Sequence, residues 1–140
     1  MTLDEARAAL VALMVEKSDA AIVAAHRDLD AGDTGLAMNR IYYACFYAAG
    51  AVLLRDGRQF VKHKGLKSAV HQYLVNTGRM SAELGTFYDQ AFLNRMAADY
   101  DVRSTFSRES CTEALAGAER FVAEMKRLLT RQDPETRASG

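Results

Sequence analysis

Tryptophan is absent from this 140-residue chain, proline occurs once and cysteine twice. With Pro134 the only proline, long stretches have no strong breaker, which favours helices. No segment alternates polar and apolar residues in a sustained way, so no sheet is expected. Cys45 and Cys111 form neither a disulfide framework nor a zinc pattern and point to a reducing cytosol. Eighteen basic and eighteen acidic residues cancel, which argues against a bulk polyanion binder of the histone or ribosomal kind. No long apolar segment opens the chain, so no secretory signal is expected. The longest uncharged run, Ile41 to Leu54, falls short of the roughly 18 residues a spanning helix needs. Arg40 and Arg55 close it at both ends, and a buried helix of a cytoplasmic protein is the reading.

What is present is 49% hydrophobic sequence, enough for one real core and too apolar for disorder. Thr2 and Glu5 have capping-box spacing, and the first helix should run over residues 3–30. Gly32, within Ala31-Gly32-Asp33, suits a left-handed stop. A second helix is expected over 34–56, ending at Gly57, with apolar residues on all sides as in the central helix of a bundle. A third should span 64–76 and stop at Thr77-Gly78. Ser81 caps a fourth over 82–98, and Ser107 or Ser110 caps a fifth over 109–130. The expected architecture is all-α, an antiparallel bundle of four to five helices forming one domain over 1–130, with a disordered tail over 131–140.

Charge is unevenly placed along the chain. Residues 1–33 hold seven acids and three bases, net −4; residues 55–79 hold six bases and one acid, net +5. Lys62, Lys64 and Lys67 near a helix start suit a phosphate, and equally suit a solvated basic face. In the fourth helix Arg95 and Asp99 are four apart, with Tyr100 and Asp101 following. This spacing fits an ion pair on one helix face, or a polar cluster facing a cleft. Tyr42, Tyr43 and Tyr47 are core candidates whose buried hydroxyls want partners, with Asn39, Arg40 and Arg95 as the nearest polar choices. His63 and His71 lack a second His or Cys at metal spacing, so no metal site and no cofactor are expected. No glycine pattern fits a P-loop or a dinucleotide fingerprint.

The string Asn39-Arg40-Ile41-Tyr42-Tyr43-Ala44-Cys45-Phe46-Tyr47-Ala48-Ala49 resembles the "S-R-x-Y-Y-A-x-F-x-A-A" helix of the HEPN domain (higher eukaryotes and prokaryotes nucleotide-binding). Val61 to Leu66 resembles its "x-x-H-x-G-[LVI]" segment, and His71 to Gly78 its "F-H-x-x-[FL]-[VI]-x-[TS]-G". Leu93 to Asp101 resembles its "L-R-x-x-A-D-Y" stretch, with one extra residue before Arg95, and Ala114 to Phe121 resembles its closing helix. The resemblance covers residues 5–128 in order. It implies a helical bundle that pairs into a homodimer, often beside a small nucleotidyltransferase in a toxin–antitoxin-like pair. Nuclease members of the family carry an Arg, then four to six residues, then a His. Here Arg95 matches the Arg, but positions 100, 101 and 102 are Tyr, Asp and Val.

The resulting expectation is a nucleotide- or RNA-binding module without clear catalysis. Arg95, Asp99, Tyr100 and Asp101 form its polar centre, Asn39, Arg40 and Tyr43 support them, and Lys62, His63 and Lys64 make a phosphate-facing rim. The alternatives are a metal-independent endoribonuclease using Arg95 with Asp99 or Tyr100, and a purely structural interaction module.

Overall fold

The computed structural model describes residues 1–58, 63–100 and 105–131. Lys62, Asp101 and the expected tail beyond Arg131 lie outside the described residues. The helices are α1 (Leu3–Asp30), α2 (Thr34–Arg55), α3 (His63–Ala69), α4 (Ala82–Tyr100) and α5 (Arg108–Thr130). No strand occurs among the described residues, and the bundle follows the periodicity.

Short polar side chains start these helices. Thr2 accepts from the Glu5 amide at 3.0 Å, Asp33 from Leu36 at 3.0 Å, Ser81 from Leu84 at 3.2 Å and Ser107 from Ser110 at 2.9 Å. Of the two candidates before α5, Ser107 is thus the cap. Gly32, at φ 81°, turns the chain out of α1. The Gly32 and Asp33 amides then close on Leu29 and Asp28 carbonyls at 3.0 and 2.9 Å. Asp33 therefore closes one helix with its backbone and opens the next with its side chain.

The third helix differs from the continuous α-helix expected over 64–76. It begins one residue earlier and becomes π-helical over Val70–Val75. The Asn76 amide reaches back five residues to the His71 carbonyl at 2.8 Å. This stretch packs against α4. Gly85 comes so close that a Cβ there would sit 2.7 Å from Val75 Cγ2 and 3.1 Å from His71 Cε1. The widened turn carries His71 to Asp89 of α4, with Nε2 2.9 Å from the carboxylate.

α2 is the axis of the bundle and packs against α1, α5, α4 and α3. Burial runs along it from Ala37 to Leu54 and includes Ile41, Tyr42, Ala44, Cys45, Ala48 and Val52. Small residues let the neighbours approach. Ser18 of α1 comes close enough to donate to the Ala44 carbonyl at 2.7 Å, fully inside the protein. Gly117 of α5 lies against the Phe87 ring of α4, where any side chain would overlap it. No helix among the described residues is long and apolar enough to cross a membrane, so the uncharged run of α2 is core.

Much of the positive segment serves this packing. The Asp56 carboxylate, only 2% exposed, lies 2.9 Å from Arg55 Nη2 and 2.8 Å from Arg79 Nη1. Arg55 Nη1 also donates to the Leu128 carbonyl at 2.6 Å and so ties α2 to the end of α5. The Arg58 guanidinium stacks 3.6 Å from the Tyr73 ring centroid. Replacing Asp56 would leave two guanidinium groups without the buried charge that holds them. Asp56→Asn is expected to lower unfolding free energy by about 3 kcal/mol, read from urea denaturation. A loss below about 0.5 kcal/mol, the usual range for a surface change, would show that the cluster does not hold the fold.

Candidate functional site

Asn39, Tyr43 and Tyr47 are spaced four apart, so they share one face of α2. The last two turns of α4 come up beside that face. There Arg95 Nε lies 2.9 Å from Asp99 Oδ2, with the two side chains 14% and 27% exposed. Asn39 Nδ2 donates to both Asp99 oxygens, at 3.2 and 3.3 Å. Arg95 Nη2 donates to the Tyr43 hydroxyl at 3.3 Å. Its guanidinium also lies 5.7 and 5.5 Å from the ring centroids of Tyr42 and Tyr43, within cation–π reach. The i,i+4 pair read from the sequence is therefore half-buried and anchored from a second helix.

His63 enters the same cluster as the first residue of α3. Its ring is 4.5 Å from Phe46 and 5.6 Å from both Tyr42 and Tyr43, centroid to centroid. Nδ1 lies 2.8 Å from the Tyr42 hydroxyl. Burial and the nearby Arg95 charge pull the His63 pKa below its usual 6.5. Burial pushes the Tyr42 phenol up to about 12. At neutral pH the imidazole is uncharged and the phenol keeps its proton. The two neutral groups share one hydrogen bond, and the ring tautomer sets which of them donates. The cluster sets a guanidinium and an amide on one carboxylate, with the Tyr43 phenol against the guanidinium and the His63 imidazole beside the tyrosines. This is a donor-rich arrangement that suits an anionic oxygen.

Five of the residues singled out in the sequence are thus brought together: Asn39, Tyr43, His63, Arg95 and Asp99. Arg40 goes elsewhere, its Nε 3.4 Å from Asp28 Oδ2 of α1. Lys64 is exposed on the first turn of α3, and Tyr100 is 72% exposed at the end of α4. Tyr42 and Phe46 hold His63 in place. Their signal in the sequence was only a buried hydroxyl and a buried ring. His26, at the far end of α1, lies 3.2 Å from Glu119 of α5 and takes no part. Among the described residues no group of three or more His, Cys, Asp or Glu side chains is placed to hold a metal ion.

The lowered His63 pKa fixes the sign of a pH effect. Folding favours the neutral ring, so the contribution of His63 is complete above the unfolded value of about 6.5 and is lost as pH falls below it. Wild-type stability should therefore drop between pH 7.5 and 5.5 by more than that of His63→Gln, by urea denaturation. Parallel pH profiles for the two proteins would contradict this.

Comparison with known proteins follows the same outline. The HEPN domain model matches residues 11–128. A UPF0332 protein of Thermotoga maritima is 39% identical over 93 residues, covering 66% of this chain and 70% of that protein. "Putative toxin MJ0142" of Methanocaldococcus jannaschii is 26% identical over 116 residues, covering 83% of this chain and 79% of its own. "Putative toxin MJ0605" of the same organism is 31% identical over 93 residues, covering 66% and 69%. By direct match over most of its length, this chain belongs to the HEPN domain family.

Proposed function

We propose that the chain binds a nucleotide or RNA phosphate and works as a homodimer beside a small nucleotidyltransferase, in a toxin–antitoxin-like pair, without catalysis of its own. The observation that carries this reading is Arg95. It is held at 14% exposure by Asp99, with its Nη2 edge on the Tyr43 hydroxyl and a neutral imidazole close by. A guanidinium fixed in this way presents its remaining donors without first losing rotamer freedom. The names of the two archaeal relatives support the toxin setting. Along α4, Leu93, Met96 and Tyr100 are 54%, 40% and 72% exposed. Spaced by three and then four, they form an apolar stripe that supports pairing of two copies.

His63 favours a second reading, a metal-independent endoribonuclease. The group that titrates near neutrality, missing at positions 100–102, is supplied to the Arg95 cluster from α3. That reading expects RNA cleavage that survives a chelator and disappears in both Arg95→Ala and His63→Gln.

The binding reading is tested with fluorescent ATP and a short single-stranded RNA. Arg95→Ala should bind one or both at least about tenfold more weakly than wild type, the loss of one charge-assisted contact. Equal affinity for both ligands would remove Arg95 from the site.

A further inference from the structure

Between α1 and α2 runs an open groove of about 790 Å³. Lys17 and Arg27 of α1 line one wall, Arg40 stands in it from α2, and Asn39, Tyr43 and Tyr47 form its floor. Ala20, Ala21, Val23 and Ala24 of α1 line it between the two wall cations. No carboxylate lines it among the described residues. Two acids of α1 have cationic partners, Asp28 with Arg40 at 3.4 Å and Asp19 with Lys126 of α5 at 2.7 Å, and Asp33, beyond the end of α1, caps α2. An acidic helix thus presents a basic wall.

We infer that this groove holds a short stretch of single-stranded RNA, with Lys17 and Arg27 on successive phosphates and a base against Tyr47. The inference extends the RNA-binding reading of the Arg95 cluster and rests on it. Four features carry it. First, Lys17 and Arg27 are ten residues apart, about 15 Å along the helix, so they lie too far apart to share one phosphate. Second, half-buried rings one turn apart under a cationic wall are the pattern that binds single strands with little sequence preference. Lys17 Nζ already lies 5.7 Å from the Tyr47 ring centroid, so charge and stacking surface sit together. Third, Asn39 and Tyr43 belong to both sites, one side touching Asp99 and Arg95 and the other lining the groove. A strand lying in the groove leads into the Arg95 cluster. Fourth, a second copy of the chain is a poor occupant. In a two-fold contact over this face the wall of Lys17 and Arg27 would face its own copy, and like charges repel.

The test uses the full chain with a fluorescent six-nucleotide single-stranded RNA, at several salt concentrations, and with sedimentation in parallel. Lys17→Gln and Arg27→Gln should each weaken binding about fivefold at low salt. Each should also reduce the slope of log affinity against log salt by about 0.7, the value for one phosphate contact on a single strand. Tyr47→Leu keeps the bulk and removes the ring; it should weaken binding at least about fivefold with the slope unchanged. Wild-type affinity in all three variants overturns the inference. So does a change in sedimentation without a change in RNA binding, which would make a second copy the occupant. If Arg95→Ala loses binding and the groove variants keep it, the Arg95 reading stands and the groove does not. Loss in the groove variants alone has the opposite meaning, and a wild type that binds no RNA removes both.

Discussion

Burial of α2 on nearly every side is the constraint from which the rest follows. A helix enclosed by four neighbours has little solvent face on which to place polar side chains. Its first turns nevertheless carry Asn39, Arg40, Tyr42 and Tyr43, and buried polar groups must be hydrogen-bonded. Between them they find partners on three neighbours. Asn39 takes Asp99 and Tyr43 takes Arg95, both of α4; Arg40 takes Asp28 of α1, and Tyr42 takes His63 of α3. The polar cluster is thus where three helices satisfy the edge of the one they enclose. Its chemistry is a consequence of how the core closes.

Charge follows the same logic. Summed along the chain, the first helix is acidic and the segment over 55–79 is basic. Folding redistributes both. Asp56 takes up Arg55 and Arg79 inside the protein, so part of the basic segment is structural. Asp28 and Asp19 of α1 meanwhile pair with Arg40 and Lys126, and its Lys17 and Arg27 come to line one groove. A segment sum records how many charges a stretch has. The helical period decides which of them share a face, and long-range pairing decides which are neutralised.

That difference separates what could be read from the sequence from what could not. The helices, their caps at Thr2, Ser81 and Ser107, and the stop at Gly32 are set by residues within a few positions of each other, and the order of letters shows them directly. The Arg95–Asp99 pair is equally local. The π-helical stretch at Val70–Val75 was illegible, and Gly85, which packs against it, lies on another helix. The direction of Arg40 was illegible for the same reason, since Asp28 lies across a turn and on the facing helix. His63 is the sharpest case. A search for a histidine near Arg95 along the chain ends at position 102 without one, while the fold brings one in from thirty-two residues upstream (95 − 63 = 32). Proximity in a bundle is decided by which faces pack, and motif spacing is blind to that.

Asp99 then determines what the cluster can do. It meets Arg95 at Nε and holds both oxygens against Asn39, so the guanidinium is fixed with its Nη2 edge toward Tyr43. An anion arriving at that edge meets a donor already in place and loses no affinity to reorganising it. The same carboxylate offsets the Arg95 charge and repels the incoming anion, so affinity at this one point is held down. Strong retention of a polyanion therefore requires further cations that Asp99 does not touch. Lys17 and Arg27, in the groove that shares Asn39 and Tyr43 with the cluster, meet that requirement. On the proposed reading, a tempered, rigid Arg beside a cationic track would discriminate between ligands by length: one phosphate would gain little, and a strand that spans both would gain from each.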